Sequence, residues 1–293
     1  MAPDTKKDVA LLVGGWSVER EVSLTKGKDV ETALKQAGYS VRVIDVHKDL
    51  ESLLAALSPK PDVVFNNLYG RGGEDGVIQS VLEMLEIPYT HSGVLASAVA
   101  MDKVLTKRLA QSCGVPSPEW KVKAAKDLKA EDPLPRPYVL KPVSEGSSVG
   151  VHIFDINDKT FPSDITQWSG EEKILIERFV PGRELTVAVL DGIPQAVTEI
   201  RPASGFFDYA AKYKDEATVY DLPADISEKI TNKALDYAAR IFTILECQGL
   251  ARCDFRFNDT GKEPEGLYFL EINTQPGLTA SSIGPSQVIF KGK

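Results

Sequence analysis

The chain has 293 residues, with 42 acidic against 34 basic side chains and a formal net charge of -8. That balance argues against nucleic-acid backbone binding as the main task, which shows as a basic excess. An anionic small molecule needs only a local cluster of cations. Apolar residues make up 43% and charged ones 26%, as in a soluble globular protein. At ~150 residues per domain the length suggests about two domains, and no apolar run reaches the ~18 residues of a membrane span.

Up to residue 95, strands alternate with helices. Asp8–Val13 is a short apolar run behind Lys6 and Lys7. Gly14-Gly15 and Glu19-Arg20-Glu21 interrupt it with no small-residue cleavage site, so a buried first strand is expected rather than a leader. Val22–Ala37 has helical spacing, Val41–Val46 is β-branched, Leu50–Leu57 reads as a short helix, Asp62–Asn66 as a third buried strand and Gly76–Leu85 as a helix. This alternation predicts a parallel sheet with helices on its faces, with ligands at the carboxyl ends of its strands.

A second unit opens near Val94 with one helix over Val94–Ser112, ended by Gly114-Val115-Pro116 and followed by a solvated connection over Lys121–Pro137. Strands at Tyr138–Pro142 and Ile174–Phe179 bracket the loop Val143–Gly150, and Phe161–Gly170 reads as polar surface. The third unit, from about Leu185, holds a strand at Thr186–Leu190, a polar-aromatic stretch at Ala203–Tyr220, a helix at Ile226–Leu245 and strands at Arg252–Phe257 and Leu267–Ile272. Cys113, Cys247 and Cys253 are odd in number and lack CxxC spacing, which points to reduced thiols and a cytoplasmic protein. His47, His91 and His152 are scattered with no HExxH, which argues against histidine-based zinc chemistry.

Several segments carry chemistry. Gly14–Glu21 has two adjacent glycines and is not a GxGxxG fingerprint; no GxxxxGK[ST] occurs anywhere. It reads either as a plain glycine turn or as a tight turn delivering Glu19 and Arg20 to a cleft. Gly70–Gly76 places four glycines in seven residues after a buried strand, which permits close backbone approach; Glu74-Asp75 then opens a helix and suits its dipole, so the stretch reads as a functional loop or as a capping loop. In Lys141–Gly150 a lysine at a strand end precedes Gly146, Ser147 and Ser148. Such a loop can wrap phosphates with a point charge and directed donors, or be a flexible hairpin. Asp254, Glu271 and Asn273 lie on adjacent predicted strands and are hard oxygen ligands suited to Mg²⁺ beside phosphates. Glu271 and Asn273, two apart, share a face. A salt bridge with Arg252 is the alternative reading. Thr274–Thr279 is a turn whose N–H groups suit an oxyanion.

The ordered set GGWSVEREVSL, YGRGGEDG, Met101–Lys103, KPVSEGSSVG, ERFVPGRELTV, RCDF and LEINTQPGLT resembles the D-alanine–D-alanine ligases of the ATP-grasp family, from about residue 8 to 285. The resemblance implies an α/β fold of three domains. These are an N-terminal, Rossmann-like parallel-sheet domain for substrate (1–95), a central ATP-grasp subdomain (96–184) and a C-terminal ATP-grasp subdomain carrying the metal ligands (185–293). ATP would lie between the last two.

The resemblance also implies residue roles. Lys103 and Lys141 would contact phosphates, Glu177, Phe179 and Val180 would form the adenine hinge, and Glu184 would take the ribose. Ser147 and Ser148 would lie in a loop closing over the phosphates. Asp254, Glu271 and Asn273 would hold two Mg²⁺ (or Mn²⁺), with Glu271 bridging. Glu19 would hold the first D-alanine's ammonium near Tyr69, and Ser282 the second's carboxylate. Arg252 and the Gly277 N–H would face the tetrahedral oxyanion. Phe206–Tyr213 resembles a lid, with Lys212 near phosphate and Tyr213 linked to Ser147 and Glu19. An aromatic residue at Tyr213 implies D-alanine rather than D-lactate as the second substrate. A cytoplasmic enzyme for peptidoglycan precursors follows, without nucleic-acid or membrane partners, and dimeric through its N-terminal domain.

Two features depart from the family. Tyr69 stands where His is usual, and a phenol with pKa ~10 does not titrate near neutrality. Family members run past the NTQPGLT segment into a final helix, whereas this chain stops at Ile289–Lys293, so stability or activity below that of a full-length relative is expected. Two other readings remain open: an ATP-grasp carboxylate–amine ligase for other amino acids, and a catalytically weak paralogue that binds nucleotide or dipeptide.

Overall fold

Strand β1 (Asp8–Gly14) is buried along almost its whole length, and its sequence is apolar from Val9 onward because both of its faces are covered. The computed structural model describes residues 7–129, 131–146, 149–165, 167–202, 218–261, 266–279 and 282–292. β1 lies in parallel between β2 (Ser40–Val46) and β3 (Val63–Asn66). Helix α1 (Arg20–Gln36) covers one face, where Leu24, Val30 and Leu34 meet Leu11 and Val13. Helices α2 (Leu50–Ala56) and α3 (Val77–Met84) cover the other, bringing Leu53, Ile78 and Leu82 onto Ala10 and Leu12. Gly27 lets α1 approach closely: a Cβ there would lie 2.5 Å from Val13 Cγ1.

The single helix expected over 94–112 is two, α4 (Val94–Met101) and α5 (Lys103–Ser112). Asp102 between them is extended, and its carboxylate accepts the N–H of Val104 at 2.9 Å and of Leu105 at 3.0 Å. An N-cap of this kind restarts a helix where uninterrupted apolar spacing would continue it. Ala96, Ala100 and Ala110 of these helices pack into the core of the C-terminal sheet.

The central sheet is antiparallel with order β4-β7-β5-β6, from β4 (Trp120–Ala124), β5 (Tyr138–Pro142), β6 (His152–Phe154) and β7 (Lys173–Arg178). β4 falls in the stretch expected to be a connection. It is an edge strand with Lys121 and Lys123, and lysines on an edge imitate a solvated linker. Trp168, in the stretch expected to be polar surface, is buried with Tyr138, Leu140, Phe154 and Ile176.

The C-terminal sheet runs β10-β9-β8-β11-β12, all antiparallel. Its strands are β8 (Arg183–Leu190), β9 (Ile193–Arg201), β10 (Val219–Asp221), β11 (Leu250–Asn258) and β12 (Gly266–Asn273). Helix α6 (Glu228–Ile244) buries Ile230, Ala234, Ala238 and Ile241 against it, at helical spacing. Helix α7 (Ile283–Phe290), for which no element is expected, packs on β8 and β9.

Gln287 is the pin of α7. Its fully buried amide accepts from the Ala188 N–H at 2.8 Å and donates to Thr186 O at 3.0 Å and Thr198 Oγ1 at 2.8 Å. These bonds fall where the β8–β9 register shifts, between Val187 and Val189. Gln287→Ala leaves buried donors and acceptors without partners and is expected to lower the unfolding free energy by about 3 kcal/mol. Urea titration checks this; an unchanged midpoint would count against the pin.

Candidate active site

The C-terminal sheet has one apolar and one polar face. Leu185, Val187, Cys253, Phe255 and Phe269 enter the core. On the polar face, Asp254 stands opposite Thr186 on one side and Glu271 on the other, Arg252 opposite Asn273, and Arg256 opposite Glu184. The β11–β12 register shifts after Asp254 and leaves Leu270 unmatched. This bulge turns both Leu270 and Glu271 toward the cleft. Asp254 accepts from Arg252 Nε at 2.9 Å and Nη2 at 2.8 Å, and from Thr186 Oγ1 at 2.6 Å. Asn273 Oδ1 accepts the Gln275 N–H at 2.7 Å. Directly opposed carboxylates repel across a sheet, and an all-oxygen set of this kind fits a hard divalent cation.

The facing wall comes from β5, β7 and the start of α5. Because Asp102 caps α5, Lys103 is its first residue. Its N–H donates to Val143 O at 3.1 Å, its ammonium donates to Glu145 O, and it lies 3.8 Å from Glu271. Glu177 is buried and takes two ammonium groups, Lys141 at 2.6 Å and Lys107. Lys107 also donates to Phe269 O at 3.3 Å. Burial pulls Lys107 down to about 8 against the attraction of Glu177. Burial opposes the charge on Lys141 too, but Glu177 and Glu271 outweigh it and hold Lys141 above the usual lysine range. Glu177 in turn is desolvated, yet the two lysines keep it below the usual carboxylate value. The far end of the cleft is lined by Val139, Phe179, Val180 and Leu270. There Arg256 lies 5.4 Å over the Phe179 ring and 3.7 Å from Glu184.

A second group of charged side chains adjoins the cleft through Arg252, which bonds Asp254 and acts on Glu74 and Lys26. Glu19, at the start of α1, is 4% exposed. Two glycines from different loops close on it: a Cβ at Gly70 (φ +69°) would lie 2.8 Å from Glu19 Oε2, and one at Gly146 would lie 3.2 Å from it and 4.0 Å from Glu74 Oε2. Burial and the neighbouring Glu19 push the Glu74 carboxyl well above its usual range. Tyr69 is buried, and its hydroxyl donates to Asn67 Oδ1 at 3.2 Å. Burial, then Glu74 and Glu19, raise this phenol further, so it remains a neutral donor. Lys26 Nζ lies 6.0 Å from the Tyr69 ring centre. Gly277 and Ser282 complete this side, with Ser282 Oγ 2.8 Å from Thr279 Oγ1. Gln275 ties this region together across the fold: it accepts from Asn66 Nδ2 at 2.8 Å and donates to Leu68 O.

Of the expected site residues, Lys103, Lys141, Glu177, Phe179, Val180, Glu184, Asp254 and Glu271 line one cleft. Asn273 neighbours it across from Arg252. Ser147, Ser148, Lys212 and Tyr213 lie outside the described residues. Among the described residues no helix is long and apolar enough to cross a membrane.

A family model described as the D-ala D-ala ligase C-terminus matches residues 109–293. The D-alanine–D-alanine ligase of Granulibacter bethesdensis is 48% identical over 97% of this chain and 92% of its own length. That of Acidiphilium cryptum is 48% identical over 98% and 94%. The chain belongs to the D-alanine–D-alanine ligase family. The crystal structure of a D-alanine–D-alanine ligase from Bacillus anthracis superposes with a TM-score of 0.80 at 29% identity, covering 98% of this chain and 92% of that one. The same enzyme complexed with ATP gives 0.79 at 28% identity, again over 98% and 92%.

In this ligase-family chain, sequence reading misses Lys107, Lys26, Glu74, and the Asn66–Gln275 contact. Lys107 had a signal: it lies four residues after Lys103, on one face of α5, amid residues that must be buried. Removing one partner of a buried ion pair leaves an uncompensated charge. Lys107→Met is therefore expected to lower the unfolding free energy by about 3 kcal/mol, measured by urea titration. A more stable variant would show that Lys141 alone satisfies Glu177.

Proposed function

We propose that the chain condenses two D-alanines to D-alanyl-D-alanine, with ATP converted to ADP and phosphate through an acyl phosphate. The observation that carries this reading is the junction at Arg252. Its guanidinium bonds Asp254 in the nucleotide cleft and acts electrostatically on Glu74 and Lys26 in the second pocket. A phosphoryl donor and a small zwitterion thus meet at one cation.

In this reading the purine lies between Val139, Phe179, Val180 and Leu270, against the hinge that contains Glu177. Glu184 accepts from the ribose, and Glu177 holds Lys141 aimed at the phosphates beside Lys103. Asp254, Glu271 and Asn273 would hold Mg²⁺ or Mn²⁺ ions, which screen the phosphates from the attacking carboxylate. Glu19 takes the ammonium of the first D-alanine, with Tyr69 beside it as a neutral donor. That substrate's carboxylate oxygen attacks the γ-phosphorus, the bond to the β,γ-bridging oxygen breaks, and ADP leaves. The amine of the second D-alanine, bound near Ser282, attacks the acyl carbon. Arg252 and the Gly277 N–H stabilise the tetrahedral oxyanion, the amine loses its proton, and phosphate departs. Ser147, Ser148, Lys212 and Tyr213 are assigned to closure over the site, which keeps water from the acyl phosphate.

Residues 1–95, 96–184 and 185–293 act as the substrate-binding, central and metal-carrying units. A cytoplasmic setting is supported by three unpaired cysteines. Exposed Val43, Leu50 and Leu54 beside the β2 edge support a homodimer.

Phosphate release with ATP, Mg²⁺ and D-alanine, with the product weighed by mass spectrometry, tests the reading. L-alanine, D-serine and D-lactate serve as controls. D-Alanyl-D-alanine is expected as the dominant product at neutral pH, and a dominant depsipeptide or no turnover would overturn it. Chelation should abolish turnover and Mg²⁺ restore it. Arg252→Met is expected to lower kcat by about 10²–10³-fold.

A further inference from the structure

Lys26 belongs to no motif of the sequence, yet it reaches into the amino-acid pocket. A Cβ on Gly277 would lie 2.9 Å from Ser282 Oγ and 3.0 Å from Lys26 Nζ, so hydroxyl and ammonium flank the same backbone atom. Among the described residues, Lys26 is the nearest cation to that position. Arg252, which acts on Lys26, forms a two-toothed bond to Asp254. From the ligase reading and this geometry, we propose that Lys26, with Ser282, receives the carboxylate of the second amino acid, the acceptor.

The spacing on α1 fits that role. Glu19 precedes the first residue of α1, and Lys26 lies seven positions further on, on the same face and about 10 Å along the axis. An extended dipeptide spans about 7 Å, and a hydrogen bond adds about 2.9 Å at each end. One helix therefore carries an anion for the ammonium end of the product and a cation for its carboxylate end, at a separation two side chains can bridge. The ring of Tyr69 braces the lysine at 6.0 Å. Burial, then Arg252, lowers the Lys26 ammonium from its usual value. A poorly hydrated ammonium gains more from a carboxylate than a solvated one does.

The assignment predicts which acceptor is lost. D-Alaninamide has the same nucleophilic amine as D-alanine but no carboxylate. The two are offered in competition at saturating ATP, with both products weighed. The wild-type chain is expected to prefer D-alanine, and Lys26→Met to reduce that preference about ten- to hundredfold. The change should fall on the acceptor KM, while kcat and the KM for ATP hold. Lys26→Arg should recover most of the preference, and Lys26→Gln, which keeps a polar side chain in place, should behave as Lys26→Met does. An unchanged preference in both neutral variants overturns the assignment and leaves the ligase reading standing. So does an equal loss with both acceptors that Lys26→Arg does not repair, since that marks damage to packing. No dipeptide from the wild-type chain overturns both.

Discussion

A buried carboxylate between two ammonium groups braces the wall of the proposed nucleotide cleft. Glu177 is on β7, Lys141 on the neighbouring β5, and Lys107 on α5, which also packs on β12 of the C-terminal sheet. Desolvating three charges is costly unless each is met, so the group forms only when α5 and the central sheet are correctly placed. The Lys107 bond to Phe269 O extends the same condition to β12, the strand that presents Glu271. The two lysines respond differently to one shared partner. Lys141 keeps its proton firmly while Lys107 is held near 8. The ammonium that lines the cleft is therefore fixed in charge, and the one behind it serves as the support.

The amino-acid pocket rests on a different principle, backbone proximity. Glu19 is enclosed because Gly70 and Gly146 have no side chains to keep their loops away. The Asn66–Gln275 contact then joins segments about two hundred positions apart in sequence. Its charges come from the carboxylates of Glu19 and Glu74 and the cations Lys26 and Arg252, which act on one another.

Much of this was legible in the sequence, and the gaps have physical causes. The parallel sheet was readable because a strand buried on both faces is apolar throughout. The residues that share the cleft were readable as a group through the ordered motifs, which also carried the family. β4 was hidden by its edge lysines, and the break at Asp102 by small apolar residues that continue across it. Glu74 looked like a residue complementing a helix terminus, which is also a sound use of a carboxylate there. Lys26 was invisible for a simpler reason. On a helix it reads as a solvated surface residue, and only the fold brings Gly277 and Ser282 to it.

The pin at Gln287 also bears on the order in which the site is assembled. The Thr186 carbonyl accepts from Gln287, and the Thr186 hydroxyl donates to Asp254. Two hydrogen bonds thus join α7 to Asp254, one of the proposed metal ligands. During synthesis α7 emerges after every strand of the sheet it completes. A nascent chain can fold its first sheet and close its central one while Asp254 still lacks this support. Full support of Asp254 then waits on α7, which follows every strand of the sheet in chain order.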